Sequence, residues 1–186
     1  MRCQQQPACR CNRTAWRFAC AINGEERATL SAIAFSIAAK AVVEASAAFP
    51  VAINLQEIKL NGFNFGYRNH LTFSVQLLKK SPNLSVLEIN AAKGGNEAVS
   101  TLSEGGFFTR GDLKILKRVK IKGFRGMEVE LRFVKSLIST SPSIENVIIR
   151  EAENINASLA FEATKKLLSF PRASPIAQLI YKGYKP

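Results

Sequence analysis

The chain has 186 residues, of which 47% are hydrophobic, so it is long enough for one folded domain with a core and a tail. Lysine and arginine total 26 against 14 acidic residues, which gives a net charge of +12. That balance favours an anionic partner, either nucleic acid, an anionic membrane surface or an acidic protein, although solvated surface lysines would give the same composition.

The first 24 residues carry four arginines and no acid, and they hold all the cysteines: Cys3, Cys9, Cys11 and Cys20. This spacing lacks the paired C-x2-C knuckles of zinc sites, so we predict that residues 1–27 are a disordered basic tail with free thiols. An organelle transit peptide is the alternative. Residues 28–50 are rich in alanine and predict a helix that covers the apolar end of the following unit. Lys40 and Glu44 interrupt its apolar run, so we expect no membrane association.

An internal repeat follows. The segment LQEIKLNGF from Leu55 returns as LKRVKIKGF from Leu116, at an offset of 61, and SPNLSVLEI from Ser81 returns as SPSIENVII from Ser141, at an offset of 60. Each half contains the pattern L-x-x-[LIV]-x-[LIV] twice. The four copies start at Leu55, Leu84, Leu116 and Ile144. The spacing is at the long end of the leucine-rich repeat range of about 20–29 residues.

The repeated pattern predicts strands that bury alternate aliphatic side chains. The buried positions include Leu60, Leu87, Ile121 and Val147, and the side chains that point the other way include Lys59, Glu88, Lys120 and Ile148. Between the strands, apolar residues at i, i+4 and i+7 predict helices around residues 71–78 and 131–138, each stopped by Ser-Pro. A third helix is predicted over residues 158–169 and a last strand over 178–181. Strand, helix and strand in succession predict an α/β fold, a leucine-rich-repeat-like solenoid fragment with largely parallel strands and helices on one face.

The second half resembles the FBD region at the C-terminus of plant F-box/FBD/LRR-repeat proteins. The shared features are the L-x-x-V-x-I strand, the turn at Gly123–Gly126, the helix start at Glu128–Phe133, the stop at Ser141–Pro142 and the segment FPRASP at Phe170–Pro175. The resemblance implies a degenerate leucine-rich repeat and Gly-rich loop in residues 51–112 and an FBD-like domain in residues 113–186. It also implies substrate recognition for a cullin-based ubiquitin ligase. We recognise no F-box in residues 1–50, so we expect no direct docking on the ligase adaptor.

No pattern of residues predicts catalysis, a metal site or a cofactor, and we expect a binding protein, not an enzyme. The single histidine, His70, precedes an amphipathic helix and is expected to be exposed. Glu128 and Glu130 are expected on different sides of a helix start, where acids meet the helix dipole favourably. We expect the partner to be an unknown protein, and we expect the chain to be located in the cytoplasm or nucleus.

One basic strip is a candidate binding site. It consists of Lys117, Arg118, Lys120, Lys122 and Arg125. The strip could bind a protein partner or, as the alternative, nucleic acid or another polyanion, although it lacks the interleaved aromatics that stack on bases. Lysines that keep an exposed strand soluble would give the same pattern.

Overall fold

The computed structural model describes residues 26–30, 51–92 and 106–184. These residues form six strands and three helices. In chain order they are β1 (Arg27–Leu30), β2 (Glu57–Phe63), α1 (Arg68–Lys79), β3 (Val86–Ala91), β4 (Arg118–Phe124), α2 (Glu128–Thr140), β5 (Asn146–Glu151), α3 (Ala157–Ser169) and β6 (Gln178–Lys182).

The strands form one sheet in the order β1-β2-β3-β4-β5-β6, and every neighbouring pair in the described chain is parallel. Ile58, Leu87, Val119 and Val147 occupy one register row, and all four are buried. Residues of this parity join the helices in a single core, so the described helices cover one face of the sheet. The predicted α/β class, parallel strands and three helices are confirmed, and the fold is compatible with a leucine-rich-repeat-like architecture.

Helices α1 and α2 end one or two residues before a buried serine that precedes a proline. Ser81 and Ser141 are each at most 1% exposed, and the backbone N–H three residues later donates to each serine carbonyl. Proline has no N–H and restricts the preceding residue, so the helix ends there and the chain turns into the next strand. Ser174-Pro175 repeats this turn before β6, with Ala177 N–H donating to the Ser174 carbonyl.

The predicted core positions are confirmed. Leu60, Leu87, Ile121 and Val147 are at most 1% exposed. At the ends of β2 and β4, Gly62 and Gly123 have φ of 70° and 78°, and both pairings shift register there. A Cβ at Gly123 would lie 2.9 Å from the Ala91 carbonyl oxygen, so glycine is needed both for the left-handed backbone and for the close approach.

The prediction for the segment before the repeat is wrong where the structure describes it. Residues 27–30 form a strand, whereas we predicted a tail as far as residue 27 and a helix from residue 28. Arg27–Leu30 pairs with β2, Ala28 is buried, and the Arg27 guanidinium lies 3.2 Å from the Glu57 carboxylate. Pairing with the open edge of β2 outweighs the helix propensity of alanine, because propensity is a weak local preference. The remainder of the predicted tail, transit peptide and Ala-rich helix, and most of the Gly-rich loop, lie outside the described residues.

The segment FPRASP connects α3 to β6 and fastens this end of the sheet. Arg172 Nη1 donates to the Ala177 carbonyl at 2.9 Å, and Ala173 N–H donates to the Ile138 carbonyl near the end of α2 at 3.0 Å. On β6, the Tyr181 hydroxyl donates to Glu151 Oε1 at 2.8 Å. Burial, followed by the nearby Glu151 carboxylate, raises the pKa of Tyr181. The motif that is most specific to the resemblance therefore has a structural role.

Candidate binding face of the sheet

The face of the sheet opposite the helices is polar and charged, and we call it the open face. Alternate strand residues line up there in three rows because the parallel register is maintained across the sheet. The first row is Arg27, Glu57, Val86, Arg118, Asn146 and Gln178. The second row is Thr29, Lys59, Glu88, Lys120, Ile148 and Ile180. The third row is Asn61, Asn90, Lys122, Arg150 and Lys182. The open face thus carries seven cationic and two acidic side chains.

Glu88 lies at the centre of the open face and forms ion pairs with three lysines. Its Oε1 atom is 2.9 Å from Lys122 Nζ, 3.7 Å from Lys120 Nζ and 3.8 Å from Lys59 Nζ. Burial opposes ionisation of Glu88, but the hydrogen bond from Lys122 and the charges of the three lysines outweigh it and lower its pKa. One carboxylate therefore gathers three ammonium groups and leaves this cluster with an excess of positive charge.

The structure divides the predicted basic strip. Lys120 and Lys122 join the Glu88 cluster, while Lys117 precedes β4 and lies 3.6 Å from Glu145 Oε1. Arg118 is exposed at the start of β4, and Arg125 lies beyond its end, where its backbone N–H donates to Glu130. The face brings Lys59 to the strip, which the sequence-based prediction did not include, and separates Arg125 from it.

Two further cations extend the open face towards its C-terminal edge. Arg150 on β5 and Lys182 on β6 occupy the same row as Lys122, and they line a surface hollow with Gly183 and Tyr184. Our sequence-based prediction omitted both. The alternation that places Ile148 on the open face also places Arg150 there, so the signal was present in the pattern.

Two ionisable side chains lie beneath the loops at the carboxyl ends of β2 and β4. His70 and Glu130 are each the third residue of a helix, in α1 and α2, and are 6% and 2% exposed. The expectation that His70 is exposed is wrong, because Nδ1 accepts a hydrogen bond from Asn64 N–H at 3.2 Å, which draws the ring inward. Burial lowers the pKa of His70.

Glu130 accepts hydrogen bonds through Oε2 from Arg125 N–H at 2.9 Å and from Met127 N–H at 3.0 Å. Burial raises its pKa to about 7, although these backbone donors act in the opposite direction. Glu128 points away and lies 3.6 Å from Lys166 Nζ, so the expectation that the two glutamates occupy different sides of the helix is confirmed. His70 and Glu130 therefore both accept hydrogen bonds from backbone N–H groups of the loops, and this gives each of these ionisable side chains a structural role.

Within the described residues, no group of three or more histidine, cysteine, aspartate or glutamate side chains could hold a metal ion. In the same part of the chain, no helix has the length and apolar character needed to cross a membrane.

Comparisons with known proteins agree with the resemblance found in the sequence. The chain is 32% identical over 135 residues to an F-box/FBD/LRR-repeat protein of Arabidopsis thaliana, a match that covers 69% of this chain and 32% of that protein. The chain thus spans about a third of the length of the curated relative that it matches. No family model matches, and no solved structure matches. The predicted resemblance to F-box/FBD/LRR-repeat proteins is confirmed, and the match is consistent with a C-terminal LRR/FBD-like region.

Proposed function

We propose that this chain is a protein-interaction module that binds its partner on the open face of a leucine-rich-repeat-like solenoid fragment. One observation carries the proposal. Parallel sheets are normally covered on both faces, whereas the described helices cover one face here and leave three rows of polar and charged side chains on the other. Repeat proteins of this kind use an uncovered, curved sheet as an extended binding surface. The similarity to an F-box/FBD/LRR-repeat protein supports the same role.

In this proposal, the chain serves substrate recognition for a cullin-based ubiquitin ligase and does not dock on its adaptor. The support is that in F-box/FBD/LRR-repeat proteins the F-box docks on the adaptor, whereas the repeats recognise the substrate. We propose a cytoplasmic or nuclear location and no catalytic role. Direct, saturable binding of the full chain to the purified Skp adaptor at micromolar concentration would contradict the absence of docking.

Site-specific photo-crosslinking tests the use of the open face. A photoreactive residue at Asn146 lies in the first row of that face, at the start of β5, and one at Lys135 lies on the exposed side of α2, which serves as the matched control. In extracts of the source tissue, we expect a discrete crosslinked protein from position 146 and none from position 135. Equal crosslinking at both positions, or crosslinking at 135 alone, would contradict the proposal.

Polyanion binding is the second candidate, because the open face carries seven cationic side chains and only two acidic ones. Nucleic-acid binding releases counterions and weakens steeply with salt. If the second candidate is correct, the chain should remain on heparin and on DNA to high salt, and replacing Arg118 and Lys120 by glutamine should shift elution from both by a similar amount. Retention on heparin without retention on DNA would show simple ion exchange.

A further inference from the structure

The corner of the open face over β4, β5 and β6 combines unneutralised charge with apolar surface. Lys122, Arg150 and Lys182 lie side by side in register, on strands whose axes are about 4.8 Å apart. Lys122 shares the Glu88 carboxylate with two other lysines. Within the described residues, no carboxylate lies within ion-pair distance of Arg150 or Lys182. These two cations are therefore available to an external anion.

Two isoleucines lie directly beside this basic row. Ile148 and Ile180 precede Arg150 and Lys182 by two residues, so their side chains project on the same face about 6.6 Å away along each strand. They are partners in the register of β5 and β6, and each is half-buried although neither belongs to the helix-covered core. Two adjacent isoleucines on the face that the described helices leave uncovered form a small apolar patch, and its place beside a basic row points to a ligand with both acidic and aliphatic groups.

We propose that this corner binds an extended acidic segment of the partner protein, with its carboxylates on Lys122, Arg150 and Lys182 and one aliphatic side chain on Ile148 and Ile180. The proposal rests on the proposed function, since it names the chemistry of the protein that the open face binds. The Arg150 guanidinium suits a bidentate contact with a carboxylate, and the two lysines add point charges on either side. The hollow lined by Gly183 and Tyr184 receives the end of the segment.

The same surface suits a nucleic acid less well. A phosphate backbone that crosses the face would meet Glu57 and Glu88, whereas a protein segment can place neutral residues there. Single-stranded nucleic acids bind on platforms of stacked aromatic rings, and the hollow contributes the single ring of Tyr184. The mixture of free cations, isoleucines and two glutamates therefore favours an acidic peptide.

Fluorescence anisotropy with synthetic probes tests the inference on the full chain. The probes are an acidic hexapeptide of glutamate and aspartate with one central leucine, the same peptide with serine in place of leucine, and a single-stranded oligonucleotide of equal charge. We expect the leucine peptide to bind, the serine peptide to bind several-fold more weakly, and the oligonucleotide to bind at least as weakly as the serine peptide. The variant Arg150→Gln/Lys182→Gln should lose about tenfold in affinity for the leucine peptide.

The matched control is Lys135→Gln/Lys165→Gln, which removes the same charge from exposed positions on α2 and α3. It should leave the affinity within about twofold, because these lysines lie on the helix-covered side. Equal loss in both variants, tighter binding of the oligonucleotide, or identical binding of the two peptides would overturn the inference. Failure of every peptide, with selective crosslinking at position 146 retained, would overturn the acidic segment and leave the proposed function standing.

Discussion

The two halves of the repeat, residues 55–92 and 116–152, share a core and differ on the surface. Most of their buried strand and helix positions correspond pair by pair, with aliphatic opposite aliphatic and phenylalanine opposite phenylalanine. The pairs include Ile58 and Val119, Leu60 and Ile121, Phe63 and Phe124, Phe73 and Phe133, Leu77 and Leu137, and Leu87 and Val147. Every one of these residues is at most 1% exposed. The fold therefore places the same constraint on both halves at these positions.

On the open face, by contrast, the two halves differ in charge. In the first half, the open-face positions include one lysine and two glutamates. These positions are Glu57, Lys59, Asn61, Val86, Glu88 and Asn90. The equivalent positions of the second half carry four cations and no acid, at Arg118, Lys120, Lys122, Asn146, Ile148 and Arg150. A surface that changes charge over a conserved core is what a binding surface requires, because the core specifies the sheet and the face specifies the ligand.

A second difference between the halves lies at the third residue of α1 and of α2. His70 and Glu130 are both buried, and both accept hydrogen bonds from the backbone of the preceding loop. The position requires a buried acceptor, and an imidazole or a carboxyl group can supply it. The two solutions respond to pH in opposite directions, because burial lowers the pKa of the base and raises the pKa of the acid.

The largest effect that we expect tests the equality of the two cores. Leu60→Ala and Ile121→Ala should each lower the free energy of unfolding by about 2–5 kcal/mol, since both side chains are buried at equivalent strand positions. Urea denaturation followed by circular dichroism measures both losses. A loss below about 1 kcal/mol in one half, with a large loss in the other, would show that one half tolerates a cavity and that the cores are not equivalent.

The next effect concerns Glu130. Because its pKa is raised to about 7 from its ordinary value of 4.5, the folded state binds the proton more tightly than the unfolded chain. This contribution to stability is fully present below pH 4.5 and is lost as pH rises through 7, by an amount of the order of 3 kcal/mol. Glu130→Gln keeps an acceptor oxygen and cannot ionise, so its stability should be flatter over this range. Identical pH profiles for the two proteins would contradict the raised pKa.

His70 should show the opposite slope. Its lowered pKa means that the unfolded chain takes up the proton first, so this contribution is fully present above pH 6.5 and is lost as pH falls through the folded pKa. The Glu130→Gln background removes the opposing carboxyl titration, and there we expect stability to fall as pH decreases from 7 to 5. Adding His70→Gln to that background should abolish the decrease, and a decrease that persists would assign it to another group.

The sequence predicted the parts of this molecule that repeat. The aliphatic alternation, the Ser-Pro stops and the helical stripes gave α1 to α3 and strands β2 to β6, because periodic burial is visible in a single chain. Strand β1 was missed because four residues, Arg27–Leu30, gain their structure from pairing with β2 and carry no pattern of their own. The Glu88 cluster and the buried His70 were missed because both depend on contacts across strands or loops, which spacing along the chain does not reveal.

The smallest effect on stability, and the most direct test of the charge difference, is expected from Glu88→Gln. This change removes the carboxylate that Lys59, Lys120 and Lys122 share and leaves three ammonium groups without a counter-charge. Partly exposed ion pairs contribute little, so the free energy of unfolding should change by less than about 1 kcal/mol.

The binding of polyanions to the open face should nevertheless respond strongly to Glu88→Gln, because this one carboxylate offsets part of the positive charge of three lysines. We expect a clear increase in the salt concentration that elutes the chain from heparin. Glu145→Gln is the matched control, since it removes the same charge from a surface pair with Lys117 alone. A shift for Glu88→Gln that is no larger than the shift for Glu145→Gln would show that heparin responds to net charge. A larger shift would show that the three lysines around Glu88 belong to the surface that binds the polyanion.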